Sequence, residues 1–228
     1  YFAGMILLMI GIVVLSQLKF DRPASRDDEG HADTGRPLLQ IVAQPRFIVS
    51  VICAVGSYSL MSFVMTGTPI SMHHTYGHSL VDTKWVIQSH IAAMFLPSLI
   101  APLLFKWLGT RGLMTAGLGC YGTTIGIGYY DISVNGFWLQ LVLLGVGWNF
   151  LFVAGTALLP TSYRESDRFK AQAFNDSTVF SLQALASLSA GWALNLISWQ
   201  QMLLLCAIPI SLMLLALAWD LTRSAKAS

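Results

Sequence analysis

Four side chains stand out for the chemistry that their types and spacing allow. Met61 and Met65 lie four residues apart, and so do His90 and Met94. On a helix that spacing puts both members of a pair on one face, one turn apart. Thioether sulfur is soft and uncharged and suits Cu(I), and imidazole also binds copper. Zinc prefers thiolate, imidazole or carboxylate, so one imidazole with two or three thioethers would select Cu(I). Neutral ligands also release an ion more readily than thiolates do. Cys53 and Ser57 continue the stripe of Met61 and Met65 in one direction, which makes Cys53 a candidate further station. The competing reading is packing. Methionine fills gaps in apolar helices, and the chain holds 9 of them, including a second pair of the same spacing, Met5 and Met9. His90 weighs against packing alone, because an imidazole in an apolar element is costly without a partner or a role.

The elements that would position these residues are membrane spans. The chain of 228 residues is 55% hydrophobic and 11% charged, where a soluble domain carries about 25% charged residues. Lipid must therefore be its solvent. Runs of roughly 20 apolar residues span a bilayer, and seven segments qualify: Tyr1–Leu18, Phe47–Ile70, Trp85–Phe105, Leu113–Tyr130, Phe137–Pro160, Ala171–Leu196 and Met202–Leu221. The polar stretch Lys19–Gln44, with Pro23, Gly30, Gly35 and Pro37 among mixed charges, reads as a flexible linker. The chain opens inside an apolar run, with neither an initiator methionine nor the positive region of a signal peptide. It reads as a piece of a longer protein.

Of the 13 Lys and Arg residues, all but Lys84 fall on alternate connections and the tail. The basic side of a membrane protein faces the cytoplasm, so residues 19–45 and the C-terminus are expected there. Trp85, Trp107, Trp138, Trp199 and Trp219 fall near span ends, as an interfacial belt requires. A net charge of +2 with no basic block excludes nucleic acid as a partner. Cys53, Cys120 and Cys206 form neither a disulfide framework nor a metal motif. No nucleophile–base set, phosphate-binding glycine loop or haem motif is present, so neither an enzyme nor a bound cofactor is expected.

Several stretches carry a resemblance: Gly67-Thr68-Pro69-Ile70-Ser71-Met72-His73-His74, Gly77-His78-Ser79, Val86-Ile87-Gln88-Ser89-His90, Gly147-Trp148-Asn149-Phe150-Leu151-Phe152-Val153 and Asn175-Asp176. They resemble the branch of the major facilitator superfamily that contains the CcoA-type bacterial copper importers and their riboflavin-transporting relatives. Those importers carry a Met-x3-Met pair in helix seven and a His-x3-Met pair in helix eight, which Met61, Met65, His90 and Met94 match. The resemblance implies an all-α integral membrane fold. Residues 1–18 would be a truncated helix six, 19–45 a cytoplasmic linker and 46–228 the C-terminal six-helix bundle, with the amino-terminal half as a further partner. The loop between helices eight and nine, Ala101–Arg111, lacks the acidic residue that superfamily members often carry there.

On this reading the chain belongs to a multi-pass carrier of the bacterial inner membrane. It would import copper, as transported substrate, by alternating access and supply a haem–copper oxidase. With about 1.5 Å rise per residue, Met65 and His90 lie roughly 8 and 9 Å from the outer helix ends, and Met61 and Met94 roughly 14 and 15 Å. The pairs would form two stacked half-sites. His73, His74 and His78 would collect metal at the entrance. Asp176, about two turns inside helix eleven, would carry a coupling proton or close a gate against an arginine of the other half. Met5 and Met9 read as packing, and Gly122-x3-Gly126 as a close-packing face. The alternative is an organic-solute carrier, for riboflavin, a metabolite or a drug, with Trp148 and Asn149 at its site. A third possibility is a structural half-carrier subunit.

Overall fold

In the computed structural model of the chain, Met9 and residues 35–227 are described. The expected first span, the Met5/Met9 pair as a unit and linker residues 19–34 lie outside them. The chain divides into residues 1–34 and 35–228, and the second unit holds the helical bundle. Among the described residues the structure is all helical. The elements are α1 (Leu38–Val42), α2 (Pro45–Pro69), α3 (Leu80–Phe95), α4 (Ala101–Tyr130), α5 (Val134–Leu158), α6 (Arg168–Leu196), α7 (Trp199–Leu205) and α8 (Ala207–Ala227).

The expected spans are present with boundaries shifted by a few residues. Hydroxyl caps set their starts. Ser79 accepts from Asp82 N, Ser133 from Gly136 N and Ser198 from Gln201 N, each filling one of the open donors of a first turn. Prolines set the irregular segments. Pro69 lacks an N–H, and the chain beyond it relaxes into a π-helical turn, Ile70–Thr75. Pro97 likewise turns Leu96–Ile100 into a 3-10 segment.

Five helical runs are long and apolar enough to cross a membrane. One of them, Leu80–Tyr130, has 51 residues. That corresponds to about 77 Å of straight helix, more than twice the ~30 Å hydrocarbon core. It is two crossings. At Gly109 the backbone takes φ 63° and ψ 175°, a conformation open to glycine, and the helix breaks there. Residues 80–108 make one crossing and 110–130 the next. The described residues thus supply six crossings.

The linker differs from expectation at its end. Residues 38–42 form α1, and Gly35-Arg36 docks on the connection between α5 and α6. There Arg36 N and Nε donate to Asp167 at 2.7 Å each, with a salt bridge of 2.6 Å from Nη2.

Helix α5 is the hub, packed on α2, α3 and α4, while α2 also packs on α6 and α8. Close approach is set by small residues. A Cβ on Gly145 would come 2.8 Å from His90 O, and one on Gly147 would come 2.7 Å from the Tyr121 ring. At Gly122 and Gly126, expected to form a close-packing face, nothing among the described residues lies within 4 Å of a Cβ. Of the five tryptophans expected at the interface, Trp199 is instead buried, its ring 5.3 Å from that of Phe137.

Candidate functional site

The four residues of the two pairs sit on helices with α5 between them. Helices α2 and α3 each pack broadly on α5 and only slightly on one another. Met61 and Met94 are buried in the main apolar core, and Met65 packs against it. His90 is fully buried, and its Nδ1 lies 2.7 Å from Leu141 O on α5. With that nitrogen protonated it donates to the carbonyl, which leaves Nε2 as an acceptor with no partner among the described residues. Neither the cavity at Arg46 and Asp220 nor the one at Leu60 and Phe63 is lined by any of the four. Cys53 is buried in the same core.

The outer-loop histidines have structural partners. His73 Nδ1 lies 3.0 Å from His78 O, and His78 Nε2 lies 2.8 Å from Ile132 O. These contacts tie the turn after α2 to the α4–α5 loop. Among the described residues no group of three or more His, Cys, Asp or Glu side chains is disposed to hold a metal ion.

Asn149 joins two helices. Beside the 3-10 turn at Pro97, Asn149 Nδ2 donates to Met94 O at 2.7 Å and to Ser98 Oγ at 2.6 Å. A polar group left open inside a membrane costs several kcal/mol, so this bond fixes α5 against the end of α3.

Beside Asn149 the structure assembles a group of rings that no motif announces. Trp148 and Phe152 of α5 stack at 5.1 Å with 9° between planes. Tyr58 of α2 meets both edge-on, at 5.0 Å and 5.2 Å. Phe95 of α3 meets Trp148 edge-on at 6.1 Å, and Phe180 of α6 meets Tyr58 at 5.8 Å. These are the separations and tilts that aromatic quadrupoles favour. The centre of the group is covered and its margins are open: Trp148 is 4% exposed, Phe95 58% and Phe180 53%. Trp148 Nε1 is a buried donor with no partner among the described residues. Asp176 is exposed on the face of α6 that carries Phe180, one turn nearer the basic end, and accepts from Asn175 Nδ2 at 2.9 Å. Four helices therefore present a ring-lined surface with a carboxylate to one side. Such a surface offers stacking area to a flat π system. Of these rings, Trp148 was legible in the sequence as a candidate, and Tyr58, Phe95 and Phe180 were not.

A second polar device is the ion pair at the α4 bend. Arg111 Nε and Nη2 each lie 2.8 Å from Asp220 Oδ2 on α8. The acid that the loop itself lacks is supplied from the last helix.

Comparison with known proteins bears on both readings. The chain is 38% identical over 197 residues to the riboflavin transporter RfnT of Brucella anthropi, covering 86% of this chain and 48% of that protein. It is 37% identical over 151 residues to the uncharacterized MFS-type transporter YddS of Bacillus subtilis, covering 65% of this chain and 33% of the relative. It is 36% identical over 154 residues to YdeG of the same organism, described in the same words, covering 65% and 34%. The chain thus spans about half the length of the first relative and about a third of the other two. No protein-family model and no solved structure matches it.

Proposed function

We propose that this chain, which has part of the major facilitator superfamily fold, forms one wall of a carrier for a flat aromatic organic solute of the flavin class. The observation that carries this reading is the ring surface built from Tyr58, Phe95, Trp148, Phe152 and Phe180, open at Phe95 and Phe180. A solute ring would stack against those margins, and apolar walls with few polar groups are the usual make-up of a small-molecule site. Asp176 would carry a coupling proton or pair across the gate with a cation of the rest of the carrier. The name of the relative RfnT supports the choice of flavin over other flat heterocycles. Copper import, the first expectation, has less support, because α5 separates the two helices that carry the metal ligands. As a multi-pass protein with six crossings among the described residues, the chain would act in a bacterial inner membrane, the basic connections and C-terminus cytoplasmic.

The test is uptake of labelled riboflavin and of copper, side by side, by cells that carry the full-length protein. The account expects saturable flavin uptake and copper accumulation no higher than in empty cells. Copper uptake without flavin uptake overturns it.

One observation keeps copper as a second reading: the buried, unpartnered Nε2 of His90, with Met94 one turn further on. Leucine keeps the volume and apolarity of methionine at under about 1.5 kcal/mol but lacks the sulfur. If copper is cargo, Met61→Leu with Met65→Leu abolishes its uptake. If flavin is cargo, the same variant carries flavin normally.

A further inference from the structure

Three helix ends meet at the basic side of the bundle and line an open cavity of about 350 Å³. Its lining includes Gln44 and Arg46 at the start of α2, Thr161 and Ser162 beyond the end of α5, and Asp220 and Arg223 near the end of α8. The charges do not cancel. Asp220, the carboxylate of the lining, is held by Arg111 in the ion pair at the α4 bend. Among the described residues no carboxylate pairs with Arg46 or Arg223. Arg223 is steadied by the Trp219 ring, 4.9 Å from its guanidinium carbon, a contact that leaves its N–H fork free for an acceptor. The Thr161 and Ser162 hydroxyls donate to Leu158 O and Leu159 O, so the donors of the cavity are chiefly the two guanidinium groups. Gln44, the N-cap of α2, makes no side-chain bond to the first turn, which leaves the positive end of that helix uncapped at the same place. Two arginines lining one cavity, with no carboxylate partner among the described residues, suit a phosphate, which guanidinium binds with paired N–H donors. Basic pockets between spans at the cytoplasmic face are suited to anionic head groups.

We propose that this cavity binds a phosphate group. The group could belong to an anionic phospholipid head group or to free phosphate, and the inference assumes nothing about the cargo. The test uses the purified full-length protein in nanodiscs of three kinds: phosphatidylcholine alone, phosphatidylcholine with phosphatidylglycerol, and phosphatidylcholine with millimolar inorganic phosphate in the buffer. The thermal midpoint and the lipid retained in native mass spectrometry are read for wild type, for Arg46→Ala with Arg223→Ala, and for Lys106→Ala, an exposed cation outside the cavity. A lipid site predicts that phosphatidylglycerol raises the wild-type midpoint and is retained at least threefold more than by the double variant. A site for free phosphate predicts the same contrast in the third arm. In both cases Lys106→Ala behaves as wild type, and Arg46→Lys with Arg223→Lys, which keeps the charge without the planar fork, gives an intermediate shift. Equal responses of wild type and the double variant in every arm, or an equal loss in Lys106→Ala, overturn the proposal.

Discussion

Phe95 and Phe180 offer the sharpest perturbation of the ring surface, because each is more than half exposed in the bundle and neither belongs to the main apolar core. Truncating them to alanine removes stacking area and little packing. An aromatic pair contributes about 0.5–1.5 kcal/mol beyond its area, and stacking of a flat heterocycle on a protein ring is worth about 1–3 kcal/mol. Taking about 1.4 kcal/mol per ring, each single variant raises the dissociation constant of a flavin roughly tenfold. The two rings touch different partners, Trp148 at 6.1 Å and Tyr58 at 5.8 Å. The solute is a partner of both rings and Tyr58 touches Trp148, so the losses couple, and the double variant should lose more than about tenfold and less than about a hundredfold. The assay is concentration-dependent uptake of labelled riboflavin by the full-length carrier, with protein abundance measured in the same membranes. Phe169→Ala is the control: it removes a ring of α6 that is 83% exposed and outside the cluster, and it should leave KM unchanged. Unaltered KM in Phe95→Ala, Phe180→Ala and the double variant would refute the stacking argument, whatever happened to the maximal rate.

Three further outcomes are expected from the geometry. Asn149→Leu leaves Met94 O without its donor and should cost about 1–3 kcal/mol, the penalty for a buried group left unpaired, visible as a lower thermal midpoint of the purified protein. Burial pushes the Asp167 carboxyl up, but hydrogen bonds from Arg36 outweigh it and hold the pKa below the ordinary value. The anchor is therefore present at neutral pH and is lost as pH falls through that lowered pKa. Limited proteolysis across residues 35–44 should be slow at pH 7 and fast in acid, and Asp167→Asn should be cut quickly at both. A reporter fused after Ser228 should be active only in its cytoplasmic form, and activity of a periplasmic reporter would reverse the assigned orientation.

The spans were legible because membrane burial demands long apolar runs, but the starts at Leu80, Val134 and Trp199 lie ahead of those runs, set by the caps Ser79, Ser133 and Ser198. The bend between the two crossings of Leu80–Tyr130 was legible as a polar interruption. That it turns on the single φ of Gly109 was not, because several glycines nearby could have served. The Met-x3-Met and His-x3-Met spacings put the members of each pair one helical turn apart. Spacing within a helix says nothing about which helices are neighbours, and the insertion of α5 between α2 and α3 is a property of the whole bundle. The ring surface escaped notice for the same reason: Tyr58, Phe95, Trp148 and Phe180 come from four helices, and each looks locally like an ordinary apolar residue. Trp199 lies near a span end, yet its side chain turns inward on Phe137. Only local order, such as the caps and proline breaks, is written in short stretches of sequence.

The central claim, that the ring surface binds a flat aromatic solute, is tested most directly by titrating riboflavin with the purified full-length protein and following flavin fluorescence. Stacking on aromatic rings should quench the emission in a saturable way, with an affinity more than about tenfold weaker in the Phe95→Ala, Phe180→Ala variant. No saturable quenching by wild type, or the same affinity in that variant, would contradict it.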